Sequence, residues 1–322
     1  MQSPIVSVLM PVYNGSDHVA ESIRSILAQS LRDLELVIID DGSTDNTMEI
    51  INSFADARIR VFQNDRNLKI ARSLNRGLRL CRGGFVARMD CDDVCHPERL
   101  ERQIKFLHEH PDISICGTFQ KYFGGYHDRR NRTVVTHEEI VAALLFSPTM
   151  FHSTVVFRAS AVHDHALYYD ENFEYCEDYE LWVRAADSVR LANLPEYLSS
   201  YRWARRKTWE ADEPGLMEGL RSIWSRQLAR LGIVPSASDL HIHAIIAQRG
   251  MADTYSVLSQ ARAYLSRLIE LNRVARIYDA RCFVNQIRRV WRVLCLRVAR
   301  SSPLAWPALA SATLMPSATW SP

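Results

Sequence analysis

The stretch Leu34-Glu-Leu-Val-Ile-Ile-Asp40-Asp41-Gly42-Ser43 decides the fold. Its apolar run has the length of a buried strand, and two carboxylates and a glycine stop it abruptly, which puts the acids at the strand's carboxyl end. The same grammar recurs on either side. Ile5 to Met10 reads as a buried strand that Pro11 ends, and Phe85 to Met89 runs into Asp90-Cys91-Asp92-Asp93. Helix-period segments lie between: Val19, Ile23, Ile26 and Leu27; Ile50, Ile51 and Phe54 ahead of a strand at Ile59 to Phe62; then Ile70 to Leu80. Pro97 suits a first helical turn before Leu100, Ile104 and Leu107, and Ile113 to Cys116 closes this half. Alternating strands and helices specify an α/β fold on a mostly parallel sheet flanked by helices, where ligands bind outside the carboxyl ends of the strands.

The chain then changes character. From Phe119 to about Trp209 it is less regular, with a turn at Gly124-Gly125, a strand at Thr154 to Phe157 and a helix from Glu177 to Ala186, and it reads as an acceptor-side extension of the sheet. From Gly215 the pattern is helical, and residues 262–300 hold ten arginines against Glu270 and Asp279, a net of +8. Val284, Ile287, Trp291, Leu294 and Val298 recur at steps of three and four, with Arg281, Arg288, Arg289 and Arg292 on the adjoining face. That pattern suits either a packed bundle or peripheral contact with an anionic membrane. The expected division is a catalytic domain over 1–210, a helical arginine-rich region over 211–302, and a tail over 303–322 broken by Pro303, Pro307 and Pro316.

Composition narrows the classes. With 322 residues and 47% apolar side chains the chain can bury a sizeable core, which excludes general disorder. Basic and acidic residues nearly cancel, 39 against 37, so no chain-wide attraction for nucleic acid exists. Seven scattered cysteines make an odd count that fits a reducing cytosol rather than a disulfide scaffold. No run reaches the ~20 apolar residues of a membrane span. The expected location is cytoplasmic, on the inner face of the cell membrane if the basic helices bind lipid.

Several side chains could carry chemistry. Asp90 and Asp92 could share the crevice, where their charges repel unless a divalent cation or a donor compensates them; the alternative is an acidic turn that caps the helix at Pro97. In Asp40-Asp41-Gly42-Ser43 one carboxylate can cap a helix while the other accepts from a base or ribose. Glu177-Asp178 opens a helix, so it either answers the helix dipole or takes a proton from an attacking hydroxyl. Tyr13-Asn14-Gly15 offers a stacking ring and a helix N-terminus for an aromatic base and a phosphate, or simply a turn. Arg202, Arg205, Arg206 and Lys207, interleaved with Trp203 and Trp209, suit a diphosphate, an anionic acceptor or plain solvent. Cys91 and Cys95 lack the partners of a zinc site, and His152 reads as a polar edge residue.

Taken in order, Val6-Ser-Val-Leu-Met-Pro-Val-Tyr-Asn14, Ser22-Ile-Arg-Ser-Ile-Leu-Ala-Gln29, Asp33-Leu-Glu-Leu-Val-Ile-Ile-Asp-Asp-Gly-Ser-Thr-Asp45 and Ala87-Arg-Met-Asp-Cys-Asp-Asp93 resemble the family 2 glycosyltransferases. The likeness extends through His96-Pro-Glu-Arg-Leu100, Phe151-His152, Val156-Phe-Arg158 and Glu177-Asp178, about two thirds of the chain. It implies a GT-A fold, a nucleotide-diphospho-sugar donor, Mn²⁺ or Mg²⁺, and inversion at the anomeric carbon. By the same resemblance Pro11, Tyr13 and Asn14 match the nucleotide-binding turn. Asp41 matches the acid on the base, usually uracil, with Asp40 beside it. Asp90 lies near the ribose and, with Asp92, forms the metal pair. Asp178, next to Glu177, matches the catalytic base, and Arg202 stands two residues before a position near the metal or diphosphate. The acceptor is then a saccharide or lipid-linked hydroxyl in polysaccharide, lipopolysaccharide or glycolipid assembly. Many relatives carry histidine where this chain has Ala204, glycine where it has Lys69, and proline where it has Ser153. Ala204 motivates a second reading, a non-catalytic sugar-nucleotide-binding subunit. Asp90-Cys91-Asp92-Asp93-Val94 motivates a third, a phosphohydrolase whose nucleophile is an aspartate.

Overall fold

The computed structural model describes residues 3–125, 129–203, 213–248 and 255–301. In chain order the first elements are β1 (Val6–Val12), α1 (Val19–Leu27), β2 (Leu34–Asp40), α2 (Thr47–Asn52), β3 (Ile59–Gln63), α3 (Ile70–Leu80), β4 (Phe85–Arg88), β5 (Val94–Cys95) and α4 (Arg99–Glu109). There follow β6 (Ile113–Phe123), β7 (Arg129–Asn131), α5 (His137–Leu144), β8 (Val156–Arg158), α6 (Ala159–Asp164), α7 (Glu177–Ala185) and β9 (Arg190–Arg202). Four helices complete the description: α8 (Glu213–Arg230), α9 (Ala237–Ile246), α10 (Tyr255–Ala275) and α11 (Ala280–Ser301). The chain forms two compact units, Met1–Ile140 with Pro148–Gly219, and Val141–Ser147 with Leu220–Pro322.

In the first unit one mixed sheet runs β3-β2-β1-β4-β8-β6-β9-β5, with β7 on β6. Every residue of β1 and β2 is buried, as expected of central parallel strands covered on both faces. Val8, Met10, Leu36 and Ile38 pack with Ile23 and Ile26 of α1 and Leu100 and Ile104 of α4. Because β2, β1 and β4 run parallel and adjacent, Asp40, Asp41 and Asp90 all emerge at one edge of the sheet. Half of the pairings are parallel; β8, β5 and β7 join antiparallel.

Two expectations change here. Pro11 does not end β1, which continues to Val12. Leu9 accepts from the Met89 amide, so Pro11, two residues on, faces the same side, past the last β1–β4 pair at Leu9 and Arg88. Its missing N–H is therefore not required. The sheet also extends much further than Cys116: β6 reaches Phe123 and pairs in parallel with the thirteen-residue β9, which the sequence reading missed. Pro195 and bulges in the pairing at Thr118–Gln120 break the alternation that marks a strand.

The second unit has its own core, built from Phe146, Leu228, Ile242, Leu265, Leu268 and much of α11. Ser236 and Asp239 close a reciprocal capping box on α9. On α11 the stripe Phe283, Ile287, Trp291, Leu294 and Val298 is buried, and Arg288, Arg289, Arg292 and Arg300 are exposed. The apolar stripe is thus packed inside the bundle, the first of the two arrangements its pattern suits. Among the described residues no helix is long and apolar enough to cross a membrane. Ala204, Arg205, Arg206, Lys207, Trp209 and the tail over 303–322 lie outside the described residues.

His243 at the centre of this core is fully buried between Phe146 and Trp224, its ring nitrogens bonded to the Tyr264 hydroxyl and the Leu145 carbonyl oxygen, each at 2.9 Å. Burial brings its pKa down to about 4, against a weaker opposing pull from the Leu145 carbonyl. A neutral buried imidazole stabilises the fold fully above the unfolded value near ~6.5 and progressively less as pH falls towards the folded one, a loss on the order of 3 kcal/mol. Unfolding titrations between neutral pH and about pH 4 should show this slope. His243→Phe should flatten it, and an unchanged slope in that variant contradicts the assignment.

Candidate active site

Two clusters stand at the carboxyl edge of the sheet, separated by the width of β1, so roughly 10 Å apart by strand spacing. The first is built by the β1–α1 and β2–α2 turns. Asp41 is 4% exposed, and its Oδ1 accepts from the Asn64 side-chain amide at 2.7 Å and the Leu68 amide at 2.8 Å. Beside it a cavity of about 300 Å³ is lined by residues 66–72 and by Glu171, Phe173 and Glu174. Tyr13 is 46% exposed and lies within electrostatic reach of Lys69, whose pKa the Glu174 carboxylate raises first of all. Lys69 itself adopts φ 73°, the left-handed region that favours glycine.

Other residues in these turns hold the scaffold instead. The Asn14 side-chain oxygen accepts from the Thr44 amide at 2.8 Å, and its own amide donates to the Ser43 hydroxyl at 2.9 Å. Gly15 and Ser16 donate their amides to Thr47 Oγ1 and Asp45 Oδ2, at 2.8 and 3.2 Å. Slight desolvation raises the Asp45 pKa, but bonds from Thr47 and Ser16 outweigh it and bring it down to about 2. The amides expected to bind a phosphate are therefore already taken by side chains. Asp40 is fully buried and faces the Ser43 amide, and Pro11 is buried inside β1, so both shape the turn rather than line a crevice.

The second cluster surrounds Arg88, a 4% exposed arginine at the end of β4. It pairs with Asp90, and that charge raises the guanidinium's pKa against the opposing effect of burial. Burial first, and then the repulsion of Asp90, push the Asp92 carboxyl up; the same two causes hold Asp93 well above the usual range. From α7, Glu177 and Asp178 meet this group at its helix N-terminus. Burial raises both, Asp178 charge adds to Glu177, and Arg88 offsets each in part. Five carboxylates around one arginine leave a surplus of negative charge that a cation would relieve. His152 lies 3.8 Å from Glu177 Oε1 and shares a 2.7 Å hydrogen bond with the Tyr169 hydroxyl. Burial, then Arg88, drive its pKa well below the ordinary histidine value, so it is neutral.

Arg202 does not reach into open solvent. Its Nε donates to the Asp92 carbonyl at 2.9 Å, its backbone amide donates to Asp93 Oδ1 at 2.9 Å, and its guanidinium pairs with Glu21 while lying 4.3 Å over the Phe123 ring. It fastens the Asp90–Asp93 loop to the end of β9, which is a different task from clamping a diphosphate. Arg202→Ala should raise the donor KM about tenfold with a smaller change in kcat, because a loosened loop misplaces the carboxylates that the family resemblance assigns to the donor. Unchanged KM in steady-state kinetics contradicts that role.

Among the described residues no group of three or more His, Cys, Asp and Glu side chains is set to hold a metal ion. Asp90 and Asp92 nevertheless fit a hard divalent cation: both donors are oxygens, they repel, and two carboxylates leave positions for the oxygens of a bound diphosphate. Sequence reasoning missed Arg88 and Tyr169, read His152 as a polar edge residue, and named Asp93 only as part of the acidic turn. Arg88 was findable, since an arginine in a strand buried on both faces needs an acidic partner.

The model of Glycosyl transferase family 2 matches residues 7–165. EpsE of Bacillus subtilis, assigned to the glycosyltransferases, is 37% identical over 205 residues, covering 62% of this chain and 73% of its own. The chain belongs to glycosyltransferase family 2. An uncharacterized family relative from Haemophilus influenzae is 32% identical over 211 residues, 62% of this chain; the match spans 65% of that protein's length. The amylovoran biosynthesis glycosyltransferase AmsE of Erwinia amylovora is 30% identical over 202 residues, 61% of this chain and 75% of its own. Among solved structures, S. aureus TarS with UDP-GlcNAc superposes at TM-score 0.61 and 18% identity, covering 95% of this chain and 90% of that one. The mannosyltransferase PcManGT of Pyrobaculum calidifontis, with GDP-Man and Mn²⁺, gives 0.56 and 15%, covering 97% and 85%. These likenesses establish the GT-A fold for the family member described here.

Proposed function

We propose that the chain transfers a sugar, with inversion, from a nucleoside diphosphate donor to a hydroxyl acceptor in cell-surface polysaccharide assembly. The observation that carries this is the meeting of Asp90 and Asp92 with Glu177 and Asp178 around Arg88, one strand's width from Asp41. Tyr13 and Asp41 hold the nucleoside at the cavity of about 300 Å³. Arg88 fixes Asp90, and Arg202 fixes the loop carrying Asp92. Asp178 accepts the proton of the acceptor hydroxyl as its oxygen bonds to the anomeric carbon, and the bond to the diphosphate breaks in the same displacement. Mn²⁺ or Mg²⁺, held by Asp92 with Asp90, would supply positive charge to the departing diphosphate. UDP-sugars are the first donors to test, since the TarS neighbour holds UDP-GlcNAc, and the GDP-Man neighbour sets the comparison arm. The role of AmsE in amylovoran biosynthesis motivates the polysaccharide setting. The test is nucleoside diphosphate release across both donor panels with Mn²⁺, followed by the anomeric configuration of the product. No release with any donor, or product of retained configuration, contradicts the proposal.

The exposed arginine face of α11 supports peripheral contact with an anionic bilayer. That helix carries six arginines and no acidic residue, so each exposed arginine adds about 1 kcal/mol of attraction near such a surface. Flotation with phosphatidylglycerol vesicles should be lost in Arg288→Glu/Arg289→Glu/Arg292→Glu and at high salt. Equal binding to neutral vesicles contradicts this contact.

A further inference from the structure

Two side chains beside the acidic cluster have no task in the transfer described above, His152 and Tyr169. His152 opens the single 3-10 turn His152–Thr154 ahead of β8, and its side chain is only 11% exposed. Its Nε2 shares the 2.7 Å hydrogen bond with the Tyr169 hydroxyl, while Nδ1, on the other side of the ring, faces Glu177 Oε1 at 3.8 Å. The ring also stands edge-on to Trp182 of α7, with 6.0 Å between centroids. Tyr169 is buried, and Asn75 of α3 grips its backbone twice. The Tyr169 amide donates to Asn75 Oδ1 at 2.8 Å, and the Asn75 side-chain amide donates to the Tyr169 carbonyl oxygen at 2.9 Å. The tyrosine is thus a fixed point against which the imidazole is set.

A neutral imidazole has one N–H and one lone pair, so what Tyr169 receives decides what Glu177 meets. With the proton on Nε2, the tyrosine oxygen accepts it and the bare Nδ1 faces Glu177. With the proton on Nδ1, a donor faces Glu177 instead. Glu177 and Asp178 are neighbours at one helix N-terminus, where Arg88 and Asp90 act on both from the end of β4 and the Tyr179 amide donates to Asp178. Two close, buried carboxyls tend to hold one proton between them, and an acceptor beside one member keeps the proton there. The 3.8 Å gap exceeds a hydrogen bond. Closing it takes about 1 Å, the kind of tightening that active-site bonds undergo when substrate binds.

We propose that Tyr169 and His152 are positioning residues: the tyrosine oxygen takes the proton of Nε2, and the bare Nδ1 receives the hydrogen bond of Glu177, which leaves Asp178 as the free base for the acceptor hydroxyl. The inference rests on the proposed transferase reading and deepens it by naming what divides the two carboxyls. Nitrogen-15 NMR of the full chain labelled at histidine tests the first half without substrate, the His152 signals being identified by their loss in His152→Asn. The account expects a protonated Nε2 and an unprotonated Nδ1 at neutral pH; a protonated Nδ1 overturns it. Kinetics tests the second half. Tyr169→Phe keeps the ring, removes the oxygen and releases the imidazole proton to Nδ1, where it draws the ionised form of Glu177 and sends the shared proton to Asp178. Turnover should then fall about tenfold, the scale of one hydrogen bond to a charged group, with donor KM unchanged and the acidic limb of kcat/KM moved to higher pH. His152→Leu should also lower turnover, and His152→Asn, whose Oδ1 takes the place of Nδ1 and accepts, should recover most of the loss. Circular dichroism checks that each variant is folded. An acidic limb left in place in Tyr169→Phe, or His152→Asn no better than His152→Leu, overturns the inference, since a merely structural role lowers turnover without moving the limb. A wild-type chain inactive with every donor counts against the transferase reading alone, and the tautomer still decides the inference.

Discussion

Asp178→Asn lowers turnover about a thousandfold and leaves donor affinity nearly unchanged, the effect of removing a general base while keeping its shape. Three features set the size of that loss. Asp178 stands at the N-terminus of α7 and accepts from the Tyr179 amide at 2.7 Å, so asparagine fits the same space. Burial raises its pKa above the ordinary carboxylate value, only partly countered by that amide and by Arg88, which makes it a stronger base. Glu177, raised to about 8 by burial and then by the Asp178 charge, is largely protonated at neutral pH and is a poor replacement, since a protonated carboxyl takes no proton. The pH dependence follows with a definite sign. Activity is full above the raised pKa and falls as acid protonates Asp178, so the acidic limb of kcat/KM lies above the usual carboxylate range. Removing the base removes that limb. A variant that keeps wild-type turnover, or keeps the limb in place, excludes Asp178 from the role.

Asp92→Asn carries the second large effect, and its two consequences have opposite signs. In the metal-free protein Asp92 is held up by burial and by Asp90, so replacing it with a neutral isostere relieves repulsion. The variant should therefore melt at a slightly higher temperature, by about 1 kcal/mol of stability. In the presence of Mn²⁺ the order reverses. The wild-type chain gains stability and donor affinity from the ion, whereas the variant loses both responses and its turnover falls by about a hundredfold or more. Melting curves with and without Mn²⁺, paired with donor titrations, read both signs in one set of samples. An undiminished Mn²⁺ response in the variant places the ion elsewhere. Chelation of the wild-type protein should reproduce the variant's turnover and be reversed by adding Mn²⁺ back.

The first half of the fold was legible because its strands are buried on both faces and end in acids or turns. Leu34–Asp40 and Phe85–Arg88 differ from the sequence reading by one residue each. β9 escaped because Asn193, Pro195 and Glu196 look like loop residues until β6 supplies the pairing, a case of tertiary context overriding local pattern. Within the site, residue type and position singled out Asp41, Asp90 and Asp92 at strand ends and Glu177 and Asp178 at the start of a helix. Whether a polar side chain faces outward is a different matter, set by hydrogen bonds formed across the chain. Asn14 is consumed by Thr44, and Arg202 by Asp92 and Glu21, partners up to 181 residues away. No local pattern announces such a bond. The arginine stripe of α11 was visible, but the burial of its apolar neighbour required the rest of the bundle.

The central claim is that Asp41, Asp92 and Asp178 serve one donor. Crystals soaked with UDP and Mn²⁺ test it directly, because manganese is located by its anomalous scattering independently of the nucleotide. The account predicts uracil on Asp41 beside Tyr13, the manganese peak on Asp92 with diphosphate oxygens completing its shell, and the Asp178 carboxylate facing the free end of the diphosphate. Manganese bound apart from UDP, or uracil seated away from Asp41 with Asp178 facing a separate cavity, would contradict it.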